Sequence, residues 1–519
     1  MSSAAIAARS SGILLHPTSL PGPHGSGDLG PEAHAFVDFL ASAKQSHWQM
    51  LPIAPPGYGE SPYSAQSAFA GSPWLISLDA LAAAGLIAES AITNPPEFPA
   101  DRVDFESMSA HREKHLREAH RAFSASAKNQ KALDAFWNRE EAWLDDFTLF
   151  RALKRKHGGA AWTTWAVPYR SRDANALDQA RRDLASDIAF EAFLQFCFAE
   201  QWTALHTYAR SKGVALIGDI PIFVAHDSAD VWQNQNDFFL EPSGEPTFIS
   251  GVPPDYFSRT GQRWGNPLYR WKRLKKSGFA WWVARFRAML ARFDLIRIDH
   301  FIGFQRYWRI PGTDATAEHG QWMKGPGTAF FQTVKDQLGV LPMIAEDLGA
   351  VTPAVLALRD HFHLPGIKIF QFAFGTDPNA PAFLPHNYPR NAVVYTGTHD
   401  NDTAVGWFGD PGSENGTRTA VETQTERDAM LRYLGPGDDE IHWRMIRAAM
   451  ASVANLSIFP VQDVLGLGSE ARMNRPGEEA GNWSWRMKPG ALGNMHAERL
   501  ADLTTTYERT PAPKKKAAR

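Results

Sequence analysis

One cysteine, Cys197, is all the sequence contains, which excludes an intramolecular disulfide framework. It lies in the apolar run FLQFCFAEQW, where a buried structural thiol is the expectation rather than a nucleophile, in a reducing compartment. No apolar run approaches the roughly 20 residues that cross a bilayer, and the first residues, MSSAAIAARSSG, lack the continuous hydrophobic stretch of a signal peptide. A cytoplasmic protein without a membrane partner is expected. Neither sign of charge dominates: 53 Lys and Arg against 56 Asp and Glu leave a formal net charge of −3. There is therefore no basic field to attract nucleic acid, and a small neutral partner fits better. The chain also lacks GxGxxG and Walker-type loops, HExxH, paired cysteines and a DxDxDG calcium loop. Neither a nucleotide cofactor nor a metal is expected, although THDND and RIDH each set a histidine beside acids.

What the chain does have is a recurring short apolar run that ends in polar or Gly/Pro residues. Eight such runs follow one another: GILLHPTS, HWQMLPIAPP, GVALIGDIPI, FDLIRIDHF, LPMIAEDLG, GIKIFQFAFG, AVVYTGTHD and NLSIFPVQD. Helical periodicity lies between many of them, as in PEAHAFVDFLASAK, SGFAWWVARFRAMLARF and AFFQTVKDQLG. Strands apolar on both faces belong in a parallel sheet covered by helices, and eight β/α units favour a closed (β/α)8 barrel over an open doubly wound sheet. The spacing is uneven. Residues 54–213 contain a long charged helical stretch without strand signals, and residues 220–275 are rich in Gly and Pro. Both are expected to be insertions into one catalytic barrel of residues 11–500, with residues 1–10 and 505–519 as disordered tails. The 18 Trp, 32 Phe and 11 Tyr imply a large core, flat surfaces for ring-shaped ligands, or both.

In such a barrel, catalytic side chains come from the C-terminal ends of strands. Asp219, Arg297 with Asp299, Glu346, and His399 with Asp400 each end one of the eight runs. A single strand-end acid is ordinarily a solvated group or a helix cap; four on one rim point to chemistry. Arg297 and Asp299 fall on the same side of a strand, so the guanidinium is placed to hold the carboxylate ionised, as a nucleophile requires. Glu346, after an apolar run and beside other acids, suits a proton donor, which needs a raised pKa. Retaining glycosidases use such a pair, about 5–5.5 Å apart, around an oxocarbenium-like transition state. Asp400 would be a third acid, able to bind sugar hydroxyls. Tyr58, Tyr63, Tyr256 and Trp264 lie in Gly/Pro-rich stretches where a glucan could stack, and the stretch 250–271 reads as a lid-like loop.

The ordered segments HPTSLPGPHGSGDLG, SPYSAQSAFAGSP, GDIPIFVAHDSADVW, PPDYFSRTGQRWGNPLYRW, RIDHFIGF, KGPG, AEDLG, LPHNY, TGTHDNDT and NRPGEEAGNWSWR resemble the 4-alpha-glucanotransferases called amylomaltase or disproportionating enzyme. That family is glycoside hydrolase family 77, of the alpha-amylase superfamily. The resemblance implies a (β/α)8 barrel with inserted, largely helical subdomains and no C-terminal β-sandwich. It implies transfer of alpha-1,4-glucan segments to the 4-hydroxyl of another glucan or of glucose by a retaining double displacement. By motif match Asp299 would be the nucleophile, Glu346 the acid/base and Asp400 the transition-state stabiliser. Arg297 would orient the nucleophile, while His399, Asp219, Tyr63, Ser61, Gln262 and Trp264 would contact sugars near the cleaved bond. Tyr58 resembles a tyrosine of a more remote glucan site. Two positions depart from the pattern, Ile302 where many members are basic and Arg309 where many are acidic; both are expected at the rim. Extra N-terminal domains found in longer relatives are not expected. A hydrolytic alpha-amylase and a non-catalytic glucan-binding protein are the alternatives.

Overall fold

A computed structural model describes residue 6 and residues 8–254, 260–412, 418–478 and 480–510. Twelve strands occur among them: β1 (Ser10–Leu14), β2 (His47–Gln49), β3 (Ala215–Pro221), β4 (Phe248–Val252), β5 (Gln262–Pro267), β6 (Leu295–Asp299), β7 (Arg306–Pro311), β8 (Gln321–Lys324), β9 (Met343–Ala345), β10 (Gly366–Ile369), β11 (Ala392–Tyr395) and β12 (Leu456–Pro460). Eight of them close a parallel barrel in the order β1-β12-β11-β10-β9-β6-β3-β2, and these are the eight apolar runs of the sequence. The strands are buried on both faces, which is why they read as near-continuous apolar runs rather than alternating ones.

The remaining strands, β5-β4-β7-β8, form an antiparallel sheet beside the barrel. The sequence offers a loop over 250–271; the structure instead has residues 250–252 in β4 and 262–267 in β5. Glycine and proline in QRWGNP hide the strand pattern, and the strand exists because β4 pairs with it on one side and with β7 on the other. The stretch 220–275 thus contributes two strands, β4 and β5, to a sheet that also takes in residues 306–311 and 321–324.

Between β2 and β3 the chain is helical. Asp104 caps the helix Phe105–Ser124 by accepting from Ser107 N, and Ser126 caps Ala127–Lys156 by accepting from Asn129 N. The helix Ala185–Ser211 packs against both Ala127–Lys156 and the first barrel helix, Pro31–Ser42, and it leads into β3. It therefore serves as a barrel helix, and the inserted part stops short of residue 213. Its apolar residues run all round because two layers cover it. Cys197 is buried in this helix, and burial pushes its thiol up. Much of the aromatic content is core: Trp271, Trp282, Phe286, Phe304, Phe330 and Phe331 pack ring against ring behind β6, with Phe304 and Phe330 stacked at 4.8 Å.

The chain ends are more ordered than expected. Ile6 is buried, a helix runs from Asn494 to Thr506, and Arg509 is fully enclosed, so residues 505–510 are not a tail. The reason is local: Arg9 and Arg509 both donate to backbone carbonyls at the barrel floor. Residues 511–519 lie outside the described residues. Among the described residues no helix is long and apolar enough to cross a membrane.

Candidate active site

Asp219 and Arg297 are register partners on β3 and β6, so both side chains enter the barrel at the same level. Arg297 Nη1 donates to Asp219 Oδ2 at 2.6 Å and to Asp299 Oδ1 at 2.9 Å. Ile296 and Ile298, on the other face of β6, are fully buried against the helical layer. The two opposite charges in an apolar strand are thus the inward half of a period-2 pattern whose outward half is core. Tyr63 OH donates to the same Asp219 oxygen at 2.9 Å. Burial raises the Asp219 carboxyl while the guanidinium pulls it down, and Arg297 is itself held well above its ordinary range by the two aspartates.

Glu346 follows β9 directly. Its Oε2 accepts from His300 N at 2.7 Å and its Oε1 from Leu348 N at 3.1 Å. The chain bends sharply after Asp299: His300 has φ 49°, in the left-handed region unusual for a residue with a side chain. That bend aims the amide of the residue after Asp299 at Glu346, so one carboxylate belongs to Asp299 and the other is held by the next residue of the turn. Burial pushes Glu346 up to about 8, against the pull of Arg297 and with a further push from Asp299.

Asp400 lies beyond β11 in the loop TGTHDNDT. Its Oδ1 accepts from Asn474 Nδ2 at 2.6 Å, its carbonyl accepts from Arg472 Nη2 at 2.7 Å, and His399 Nε2 is 3.3 Å from Oδ2. His399 stacks on Tyr63 at 5.0 Å, which ties this third acid to the Asp219–Arg297–Asp299 network. Burial lowers the His399 imidazole pKa, so the ring is held neutral.

On the opposite side, Trp264 on β5 is 38% exposed, meets the His300 ring edge-on at 4.7 Å, and donates through Nε1 to Gln262 Oε1 at 3.1 Å. Ser61 Oγ accepts from Tyr63 N. Tyr58 stands apart on the turn Tyr58–Glu60, 76% exposed. Tyr256 lies outside the described residues. Of the two departures, Ile302 is buried under the turn after Asp299 and is not a rim residue. Arg309 lies on β7, where it donates to Gln321 and sits over the Phe248 ring at 4.5 Å. Among the described residues no three His, Cys, Asp or Glu side chains gather as metal ligands would.

Residues not singled out from the sequence complete the site: Asn474 and Arg472, which hold Asp400, and Trp483, which packs at 5.8 Å from Tyr63 and 5.9 Å from His399. Trp483 has φ 64°, a strained position for a tryptophan. Asn474 and Trp483 fall in NRPGEEAGNWSWR, whose Gly/Pro-rich, Trp-bearing composition after the last barrel strand was the available signal.

The family model described as 4-alpha-glucanotransferase, glycoside hydrolase 77, matches residues 15–492. The chain belongs to that family. It is 49% identical over 511 residues to the 4-alpha-glucanotransferase of Thermus thermophilus, covering 96% of this chain and 99% of the relative. The chloroplastic/amyloplastic 4-alpha-glucanotransferase of Solanum tuberosum is 42% identical, covering 96% of this chain and 86% of the relative. Among solved structures, the amylomaltase from Streptococcus agalactiae in complex with acarbose superposes with TM-score 0.92 at 38% identity, over 96% of this chain and 99% of that one. The activity of this family member is 4-alpha-glucan transfer, on the closed eight-stranded barrel described above.

Proposed function

We propose that transfer proceeds by retaining double displacement, with Asp299 as nucleophile, Glu346 as acid and then base, and Asp400 as the group that stabilises the transition state through sugar hydroxyls. The observation that carries this division is the contrast within one turn. Asp299 is tied to a guanidinium, whereas Glu346, held by the amide of His300, is pushed up to about 8. A nucleophile needs its charge and a proton donor needs its proton.

In the first step an Asp299 oxygen bonds to the anomeric carbon as the bond from that carbon to O4 of the leaving glucan breaks, and Glu346 delivers its proton to that O4. In the second step Glu346, now a carboxylate, takes the proton from an acceptor 4-hydroxyl whose oxygen bonds to the anomeric carbon and releases Asp299. Arg297 orients the nucleophile. Asp219, Tyr63, His399, Ser61, Gln262 and Trp264 contact the sugars nearest the cleaved bond, and Tyr58, exposed and apart, belongs to a more distant part of the glucan path. Alpha-1,4-glucans and maltooligosaccharides are donors, and glucose serves as an acceptor. No step calls on a metal or an organic cofactor. A cytoplasmic location belongs to the same proposal, supported by a lone buried cysteine in a chain of this length.

Maltotriose supplied with labelled glucose tests both donor and acceptor. Longer maltooligosaccharides carrying the label at their reducing ends should appear while the total of reducing ends stays nearly constant. A steady rise in reducing ends without labelled products would instead favour hydrolysis of the alpha-amylase kind.

A further inference from the structure

The barrel seams are not equally strong. β1 registers with β12, and β3 with β6, over five residue pairs each, whereas β9 meets β10 at one pair only, Ala345 with Gly366. Glu346 follows directly on this thinnest seam. What reinforces the seam is a side chain, Asp347, which points away from Glu346 as alternate residues at a strand end do. Asp347 Oδ1 accepts from Ile367 N of β10 at 2.9 Å, and its Oδ2 accepts from Arg359 Nη1 at 2.5 Å. Arg359 also reaches Asp360 Oδ1, at 2.7 Å through Nη2. Gly366 leaves the room for this pair: a methyl group there would lie 2.5 Å from Asp347 Oδ2 and 2.7 Å from Arg359 Nη1. Asp347 and the Arg359 side chain are both largely buried.

We infer that Asp347, paired with Arg359, is a positioning residue that fixes the proton-donating Glu346 by closing the β9–β10 seam beneath it. The inference rests on the acid/base role proposed above for Glu346. An acid one bond away from the seam follows any slip of β9, whereas Asp299, on β6, is held by the independent network of Arg297 and Asp219. Loss of Asp347 should therefore injure acid assistance and spare nucleophilic attack. A second consequence is electrostatic. The groups that act on Glu346 are Arg297 and Asp299 from β6, the backbone amide of His300, Tyr395 from β11, and Asp347 from its far side. Asp347 is a like charge that pushes Glu346 up, so its removal acts downward.

The experiment compares two donors in Asp347→Asn. Maltotriose has a poor leaving group and needs the proton. With alpha-maltosyl fluoride, the carbon–fluorine bond breaks, fluoride departs with the electron pair, and Asp299 bonds to the anomeric carbon with little assistance. On maltotriose kcat should fall by about a hundredfold with KM close to wild type, as for a displaced catalytic group. The rate of adduct formation from the fluoride should fall by less than about tenfold, and the alkaline limb of the maltotriose pH profile should move to lower pH. Equal losses on both donors, or a fall in kcat with an unmoved alkaline limb, would overturn the inference. If Asp347→Asn does not fold, Arg359→Lys carries the same test: it keeps the charge, loses the planar fork, and should show a smaller loss with the same donor selectivity. Glu346→Gln is run alongside. Should that variant fail to distinguish the two donors, the acid/base assignment is wrong; should it distinguish them while the Asp347 and Arg359 variants do not, only the positioning role is.

Discussion

Arginine is buried at both ends of this barrel, and the two ends use it oppositely. At the floor, Arg9 and Arg509 find no carboxylate within bonding distance among the described residues. Arg509 donates to the carbonyls of Met450, Ser10, Ser452 and Ala449, and Arg9 to those of Met450, Ser452 and Tyr507. Several of these carbonyls end the helix Ile441–Ala451, where a cation also meets the negative end of the helix dipole. At the rim, Arg297 is one guanidinium facing Asp219 and Asp299, with Glu346 close by. The floor is a set of neutral acceptors satisfied by charge, and its product is stability. The rim crowds more acid than base into a desolvated space, which costs stability and pushes the Glu346 carboxyl up. Substitutions at the two ends should therefore separate activity from stability in opposite ways.

The largest effect is expected at the rim. Asp299→Asn preserves shape but removes the attacking charge, and transfer should fall by about 4 kcal/mol or more in barrier, roughly a thousandfold in rate. Thermal unfolding should show a midpoint at or above that of the wild type, because one of the crowded acids is gone. A variant that retained near wild-type transfer would remove Asp299 from the role of nucleophile, and one that was inactive only because it unfolded would erase the contrast between the ends.

At the floor the order reverses. Arg509→Met leaves the carbonyls of Met450, Ser10, Ser452 and Ala449 short of donors in a buried setting, for a loss of about 2–4 kcal/mol in unfolding free energy. At 25 °C the folded variant should turn over maltotriose within about twofold of wild type, since surface and scaffold changes far from the chemistry leave barriers alone. Denaturant midpoints and initial rates measured on the same preparation decide it: a fall in kcat without a fall in stability would mean that the floor is coupled to the site.

The ends also differ in how legible they were. The rim could be read from the sequence because each acid closes an apolar run, and Arg297 with Asp299 keeps a period of two inside RIDH. The barrel followed from the same eight runs. The floor was hidden. Arg9 and Arg509 sit beside small or polar residues at the chain ends, where composition resembles a solvated tail, and their partners are carbonyls, which leave no mark in a sequence. For the same reason the amide of His300 on Glu346 was out of reach. The antiparallel sheet was missed because QRWGNP and its neighbours lack strand propensity and depend on pairing partners far along the chain. Ile302, expected at the rim from the family pattern, is core because the chain turns at His300 and carries it inward.

The smallest expected effect is also the sharpest test of the contrast, because it asks how stability varies with pH rather than how large it is. Burial pushes Glu346 up to about 8 from an ordinary 4.5. Below pH 4.5 the carboxyl is protonated in folded and unfolded chains alike, so it contributes nothing to the pH dependence. Between 4.5 and about 8 the unfolded chain gives up this proton while the folded one keeps it, so rising pH favours unfolding; above about 8 both forms are ionised and the penalty stays at its full value. Glu346→Gln cannot ionise and escapes that penalty. Its thermal midpoint should equal that of the wild type near pH 4.5 and exceed it increasingly toward pH 8, by an amount on the order of a few degrees. Arg509→Met should instead lie below wild type by a constant amount across the same window, since neither the guanidinium nor its carbonyl partners titrate there. A pH-independent difference for Glu346→Gln would mean that the acid is not held protonated by burial, and the distinction drawn between the two carboxylates of the turn would lose its physical basis.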